Sequence, residues 1–264
     1  MERGTLTPEE TVLACSENLL QTYFSLGLAI PNTTMIQEEG FRACVGEFDH
    51  PICNFAAGLN LDPWSAKQLR ELAAKKKVFN VYTLPSDKPR HVGELLYRCD
   101  FRVGYRLIQM VAEPAGRHYG PHMRMAETAE RRIETAQFMT EQFFNRQSES
   151  FRQRVAQATA DASNMEIYEL LVYDRRCGAI MLCPGDGVLG VYNLCVASAN
   201  RGVGLGKELT AWALSEAHKR GQIVTLQCDA RLQGWYSNQG FRTTGTIDVY
   251  TLSKSVSSDI MNAT

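Results

Sequence analysis

The chain has 264 residues, 44% of them hydrophobic, enough for one large domain or two of ordinary size. Its 28 basic and 29 acidic side chains leave a formal net charge of −1, which excludes the general electrostatic footprint of a nucleic-acid or anionic-membrane binder. No apolar run approaches the ~18 residues of a membrane span, and the Met-Glu-Arg-Gly start is unlike a signal peptide, so a cytoplasmic protein with neither partner is expected.

The first element is a helix. Thr7-Pro-Glu-Glu10 reads as a capping box with proline at the first helical position, and the apolar face that follows ends near Gly27. Residues 41–48 and 52–61 are short and apolar around Asp49-His50-Pro51 and read as a hairpin. Asp62-Pro63 caps a second helix, with Lys75, Lys76 and Lys77 expected in its last turn as complements to the helix dipole. A strand at 78–84, a polar loop at 85–90, a helix at 91–98 and strands at about 101–112 complete this half. Residues 113–121 are rich in Gly, Pro and His and read as a linker.

The second half opens with a helix over 125–145. Ser150-x-x-Gln153 is expected to cap another helix to about 161. Strands at 166–173, 177–183 and 188–196 follow, then a glycine turn, a helix at 203–220, a strand at 222–228 and a helix at 230–239. Strands at 241–243 and 246–252 close the order, and the tail from Ser253 reads as mobile. A weak internal repeat is visible: Leu96-Tyr97 to Phe101-Arg102 echoes Trp235-Tyr236 to Phe241-Arg242, each before an alternating strand.

Eight cysteines, at 15, 44, 53, 99, 177, 183, 195 and 228, contain no Cys-x-x-Cys pair and read as reduced, buried thiols. The spacing disfavours zinc, and no metal is expected. His118 and His122 flank Gly120-Pro121, which breaks any helix that would align the two rings, so both read as exposed linker.

The most informative stretch is Asn193 to Lys207. An apolar strand ends, a short polar turn follows, and the alternating glycines Gly202, Gly204 and Gly206 open a helix. Helix N-termini carry unpaired N–H groups and about half a positive charge, and glycine lets a phosphate approach them, so the local reading is a diphosphate-binding turn. A P-loop would need glycine at 201 and Ser or Thr at 208, where Arg201 and Glu208 stand. The dinucleotide fingerprint fails at its third glycine, where Lys207 stands. Asp229, at the end of the next strand, is a decoy for a ribose-binding carboxylate, since the residues after it are too few to finish such a sheet.

Arg201-x-x-Gly204-x-Gly206, between a strand and an amphipathic helix, resembles the coenzyme A signature of the GNAT acetyltransferase superfamily. Val196, five residues before the arginine, is similar to the family's strand position at the thioester, and Tyr236-x-x-x-Gly240-Phe241 resembles its last helix. The resemblance covers about 125–252 and implies an α/β fold with a mixed α+β sheet. It implies a catalytic domain at 125–264, a linker at 113–124, and at 1–112 a truncated, degenerate copy of the same fold or an unrelated accessory domain.

The resemblance also assigns roles. Backbone groups of Leu194 and Val196 would bind pantetheine. Those of Arg201, Gly202, Val203, Gly204, Leu205, Gly206 and Lys207 would hold the pyrophosphate. Tyr236 would be the general acid. Asp229 stands where the family commonly has an asparagine in contact with pantetheine, and a carboxylate cannot donate there. The base is not assigned: Glu166, Glu169, Asp174 and Tyr192 lie on or beside the central strands, and a water relay or an amine of low pKa needs none. The implied activity is acetyl-CoA-dependent acetylation of a primary amine of a small molecule or peptide. The rivals are a non-catalytic acyl-CoA-binding or regulatory module and, on Asp229 alone, a nucleotide-binding oxidoreductase. Residues 1–112 offer no glycine-opened helix, so one coenzyme per chain is expected.

Overall fold

The computed structural model describes residues 6–116 and 123–253. Its helices begin where the sequence supplies caps. In α1 (Pro8–Leu28) the Thr7 side chain accepts the Glu10 N–H, and Glu10 accepts the Thr7 N–H at 2.8 Å. In α2 (Pro63–Ala74) one Asp62 oxygen accepts from both the Trp64 and Ser65 N–H groups. The lysine run lies beyond that helix, contrary to expectation. Lys75 is its C-cap, Lys76 donates to the Gly46 carbonyl at 2.8 Å, and Lys77 pairs with Asp49 at 3.5 Å. A second correction concerns α5 (Glu149–Asp161), which is capped by Ser148 and not by Ser150. Of the two serines, Ser148 holds the extended backbone from which a side chain can reach back to the Phe151 N–H.

The remaining helices are α3 (Val92–Arg98), α4 (Ala129–Phe143), α6 (Leu205–Arg220) and α7 (Ala230–Ser237). Among the described residues, eleven strands form one sheet. The first six are β1 (Thr34–Gln37), β2 (Arg42–Val45), β3 (Asn54–Ala57), β4 (Asn80–Thr83), β5 (Phe101–Ala112) and β6 (Met123–Met125). The others are β7 (Glu166–Val172), β8 (Arg175–Pro184), β9 (Val188–Val196), β10 (Ile223–Asp229) and β11 (Arg242–Leu252). Two were not foreseen: β1 is a short, mostly exposed edge strand, and the three-residue β6 lies at the boundary of the expected linker and helix. The expected break near 244 is a bulge within the continuous strand β11.

The strand order is β1-β2-β3-β4-β11-β5-β10-β9-β8-β7-β6, antiparallel except at β3/β4 and β9/β10. Outward from the central β5/β11 pair, β10-β9-β8-β7 on one side answer β4-β3-β2-β1 on the other, with the parallel pair in the same place. The strand order and the place of the parallel pair are thus repeated on the two sides of the central pair. Each half inserts its long strand into the other. β5, from the N-terminal residues, is bonded on both sides by the C-terminal strands β10 and β11.

Strand alternation separates the faces. Phe55, Tyr82 and Ile247 join Leu19 of α1 in one core. Ala56 and Val81 face Leu69 and Leu96 of α2 and α3, and Val191 and Leu226 face Leu209 and Ala213 of α6. α1 docks closely because β9 has glycine at 190, where a Cβ would lie 2.0 Å from the Asn18 Oδ1. Asn18 donates to the Cys183 carbonyl and accepts the Tyr192 hydroxyl, each at 2.9 Å. The eight cysteines are free thiols, and Cys99 alone is not buried. Among the described residues no helix is long and apolar enough to cross a membrane, and no cluster of His, Cys, Asp or Glu could hold a metal. His118 and His122 lie outside the described residues.

Candidate active site

The site begins as a gap in the sheet. β9 and β10 run parallel and pair from Val188/Ile223 only as far as Val191/Leu226, then diverge. Asn193, at φ 47°, accompanies a register shift against β8 that places one extra residue in β9. Beyond that bulge Leu194 and Val196 pack toward α6, while Cys195 packs with Tyr192 on the α1 face. The Ala197 N–H donates back to the Cys177 carbonyl at 2.8 Å. Backbone groups alternate along a strand, so the peptide groups of Leu194 and Val196 point the other way, into the gap. The Val196 carbonyl there accepts from Arg201 Nε at 3.2 Å.

The gap leads to the N-terminus of α6. Gly204 is the N-cap in the left-handed region, at φ 93°, and supplies no side-chain cap. Lys207 and Glu208 N–H groups already donate to the Gly204 carbonyl, which leaves the N–H groups of Leu205 and Gly206 without a backbone acceptor. A cavity of ≈ 340 Å³ lies over them, lined by Val196, Asn200, Arg201, Gly202, Gly204, Leu205, Gly206, Lys207 and Trp235. Nearly all the glycine-turn residues singled out in the sequence therefore meet at one cavity, and Val203 is 72% exposed beside it. Trp235 and Asn200 were not anticipated. The Trp235 ring sits 3.4 Å from where a Gly206 Cβ would be, so it closes the wall opposite the helix.

Tyr236 is buried at the end of α7, with its ring edge-on to Trp235 at 4.7 Å and to Phe241 at 5.5 Å. Burial pushes its hydroxyl up to about 12, with Cys228 adding to the shift, so it stays protonated near neutrality. Asp229 does something else: it accepts the Arg231 N–H as the cap of α7 and pairs with the Arg231 guanidinium, which holds its carboxyl at about 2.

Three of the four candidate bases are committed to structural partners, and the fourth is exposed. Glu166 pairs with both terminal nitrogens of Arg220, at 2.9 and 2.7 Å. Glu169 is buried; burial raises its carboxyl, but Arg124 at 2.6 Å and Arg176 at 2.9 Å outweigh that and hold it low. Tyr192 is buried against Asn18, and Asp174 sits in an exposed turn at φ 59°.

The repeat noticed in the sequence aligns differently in space. Leu96 and Phe101 are both buried and five residues apart, as are Tyr236 and Phe241. The N-terminal counterpart of Tyr236 is therefore Leu96, which has no hydroxyl. Tyr97 is 61% exposed and stacks on Arg102 at 4.0 Å.

Comparison with known proteins places this stretch in a known domain family. Residues 127–249 match the acetyltransferase (GNAT) domain model. This segment is a GNAT domain. Among solved structures, a GCN5-related N-acetyltransferase from Kribbella flavida is 15% identical with a TM-score of 0.64, over 90% of this chain and 96% of its own. A tandem GNAT protein from the clavulanic acid biosynthesis pathway is 13% identical with a TM-score of 0.59, over 89% and 94%. A putative GNAT acetyltransferase from Novosphingobium aromaticivorans is 17% identical with a TM-score of 0.53, over 83% and 91%. These likenesses show that the chain has the GNAT fold. No curated protein matches the chain.

Proposed function

We propose that the protein is an acetyl-CoA-dependent N-acetyltransferase that acts on a primary amine of a small molecule or peptide, in the cytoplasm. The observation that carries this reading is the gap between β9 and β10, which opens onto the uncapped N–H groups of Leu205 and Gly206. A diphosphate at that helix end would meet free donors and a favourable dipole. The pantetheine would lie along the gap-facing peptide groups of Leu194 and Val196, which brings the thioester beside α7.

Coenzyme A supplies the activated acyl thioester. The neutral amine attacks its carbonyl carbon; the C–N bond forms, the C–S bond breaks, and one amine proton ends on the departing sulfur. Tyr236, protonated at neutral pH, is the proton donor to that sulfur, and the amine's surplus proton restores it. The Val196 N–H would stabilise the carbonyl oxygen as charge develops on it. In this reading Asp229 shapes α7 and does not touch the coenzyme. A non-catalytic acyl-CoA-binding module is the second reading, and it draws on the commitment of Glu166, Glu169 and Tyr192 to structural partners.

The test is thiol release from acetyl-CoA across a panel of amines. Tyr236→Phe should lower kcat by roughly 10- to 10³-fold, the scale of one positioned acid, with acetyl-CoA affinity little changed. Wild-type turnover in that variant at every pH would demote Tyr236 to packing, and no release with any amine would leave the binding module.

A further inference from the structure

A second cavity, of ≈ 330 Å³, lies on the α1 face of the sheet. It is bounded by Tyr23 and Leu26 of α1, His50, Pro51 and Ile52 of the β2–β3 loop, Phe55 of β3, Tyr82 of β4, Tyr105 of β5, and Phe144 just after α4. Both halves of the chain therefore build it. On the face opposite α6 its wall runs into the core that holds β9. Tyr23 and Leu26 pack against the buried cluster that contains Tyr192 and Cys195 of β9. Tyr105 lies two residues beyond Leu107, which pairs with Asp229 at the end of β10.

The lining contains no carboxylate, lysine or arginine. Its titratable groups are Tyr23, Tyr82, Tyr105 and His50. Burial raises the Tyr23 and Tyr82 hydroxyls and lowers His50 to about 4, so these three are neutral at pH 7. His50 Nδ1 accepts the Ile52 N–H at 3.1 Å, which puts the imidazole proton on Nε2. The rings already pack edge-on, with Tyr23 5.1 Å from Tyr82 and 6.3 Å from Phe55. A further ring fits this geometry, and the cavity is of ligand size.

We propose that this cavity receives the ring of the acyl acceptor, and that the acceptor is an aryl-alkyl primary amine taken up as the free base. The proposal rests on the acetyl-transfer reading and accounts for the lack of an available base. An ammonium group moved among neutral aromatic walls loses its hydration and finds no carboxylate, so its pKa falls and the neutral form is selected. Ring-face attraction for the cation is too weak to offset that loss. Polyamines and aminoglycosides would bring further charges with nothing to pair them, and a free amino acid would bring an unpaired carboxylate. The proton is left in bulk water before attack, so the nucleophile arrives ready.

The test compares 2-phenylethylamine, spermidine and L-lysine as acceptors with the full chain, by thiol release from acetyl-CoA, alongside calorimetry of acetyl-CoA binding. Tyr105 is 46% exposed, so its substitution leaves the core intact. Wild-type kcat/KM for 2-phenylethylamine should exceed that for spermidine by at least tenfold and rise tenfold per pH unit below the amine's own pKa. Tyr105→Ala should raise the KM for 2-phenylethylamine by roughly tenfold with acetyl-CoA affinity unchanged, and Tyr105→Glu should shift preference toward spermidine. Equal or better use of spermidine by the wild type, or a KM indifferent to both substitutions, would overturn the acceptor assignment and leave acetyl transfer standing. No heat with acetyl-CoA and no thiol release would overturn both.

Discussion

Gly204 separates what the α6 turn needs to fold from what it needs to bind. Its φ of 93° is open to glycine and costs an L-residue about 1–2 kcal/mol. A Cβ built there meets nothing within 4 Å, so no steric penalty is added. For a chain of this size about 1 kcal/mol lowers the melting temperature by roughly 2–4 °C. Gly204→Ala and Gly204→Glu should therefore both melt about 2–8 °C below the wild type without ligand. With acetyl-CoA at about 100 times its Kd, mass action adds about 2.7 kcal/mol, or roughly 5–11 °C, to the wild type. Gly204→Ala should keep part of that shift. Gly204→Glu should lose it, because a carboxylate beside the Leu205 and Gly206 N–H groups takes the place of the phosphate and repels it. Scanning fluorimetry with acetyl-CoA, NADH and ATP reads all of this. An undiminished shift in Gly204→Glu would refute the coenzyme site, and shifts with NADH or ATP in place of acetyl-CoA would refute its identity.

Calorimetric titration with coenzyme A should give one site per chain, since α2 begins with an Asp62 carboxylate already bonded to its own N–H groups and Leu96 stands where the other half has Tyr236; a stoichiometry of two would contradict this. A chain beginning at Met123 should be insoluble or unfolded by circular dichroism, because it lacks β5, the strand between β10 and β11; a cooperative melt in that chain would contradict the interlocked sheet. His50, lowered to about 4 from 6.5, stays neutral when folded while the unfolded chain takes up a proton, so stability should fall as the pH drops from about 6.5 toward 4. His50→Asn should flatten that part of the melting-temperature profile, and an unchanged profile would remove His50 as its source.

Sequence alone determined the local chemistry. The caps at Thr7 and Asp62, the glycine turn before α6 and the Tyr236 helix were legible because each depends on residues a few positions apart. The cap of α5 was misplaced by two residues, since two serines carry the same signal and backbone conformation chose between them. Tertiary structure decided whatever depends on distant neighbours. β1 and β6 are too short to show periodicity and exist because a sheet edge offers hydrogen-bond partners. The exchange of β5 and β11 between halves could not be read locally, for an alternating strand does not specify its neighbour. The sequence echo placed Tyr97 beside Tyr236, and burial replaced it with Leu96. Glu169, Tyr192 and Asp229 looked available until the fold supplied Arg124, Asn18 and the helix end that occupy them. The aromatic cavity joins residues from 23 to 144. No spacing along the chain encodes that meeting, because the packing of α1 across both halves of the sheet creates it.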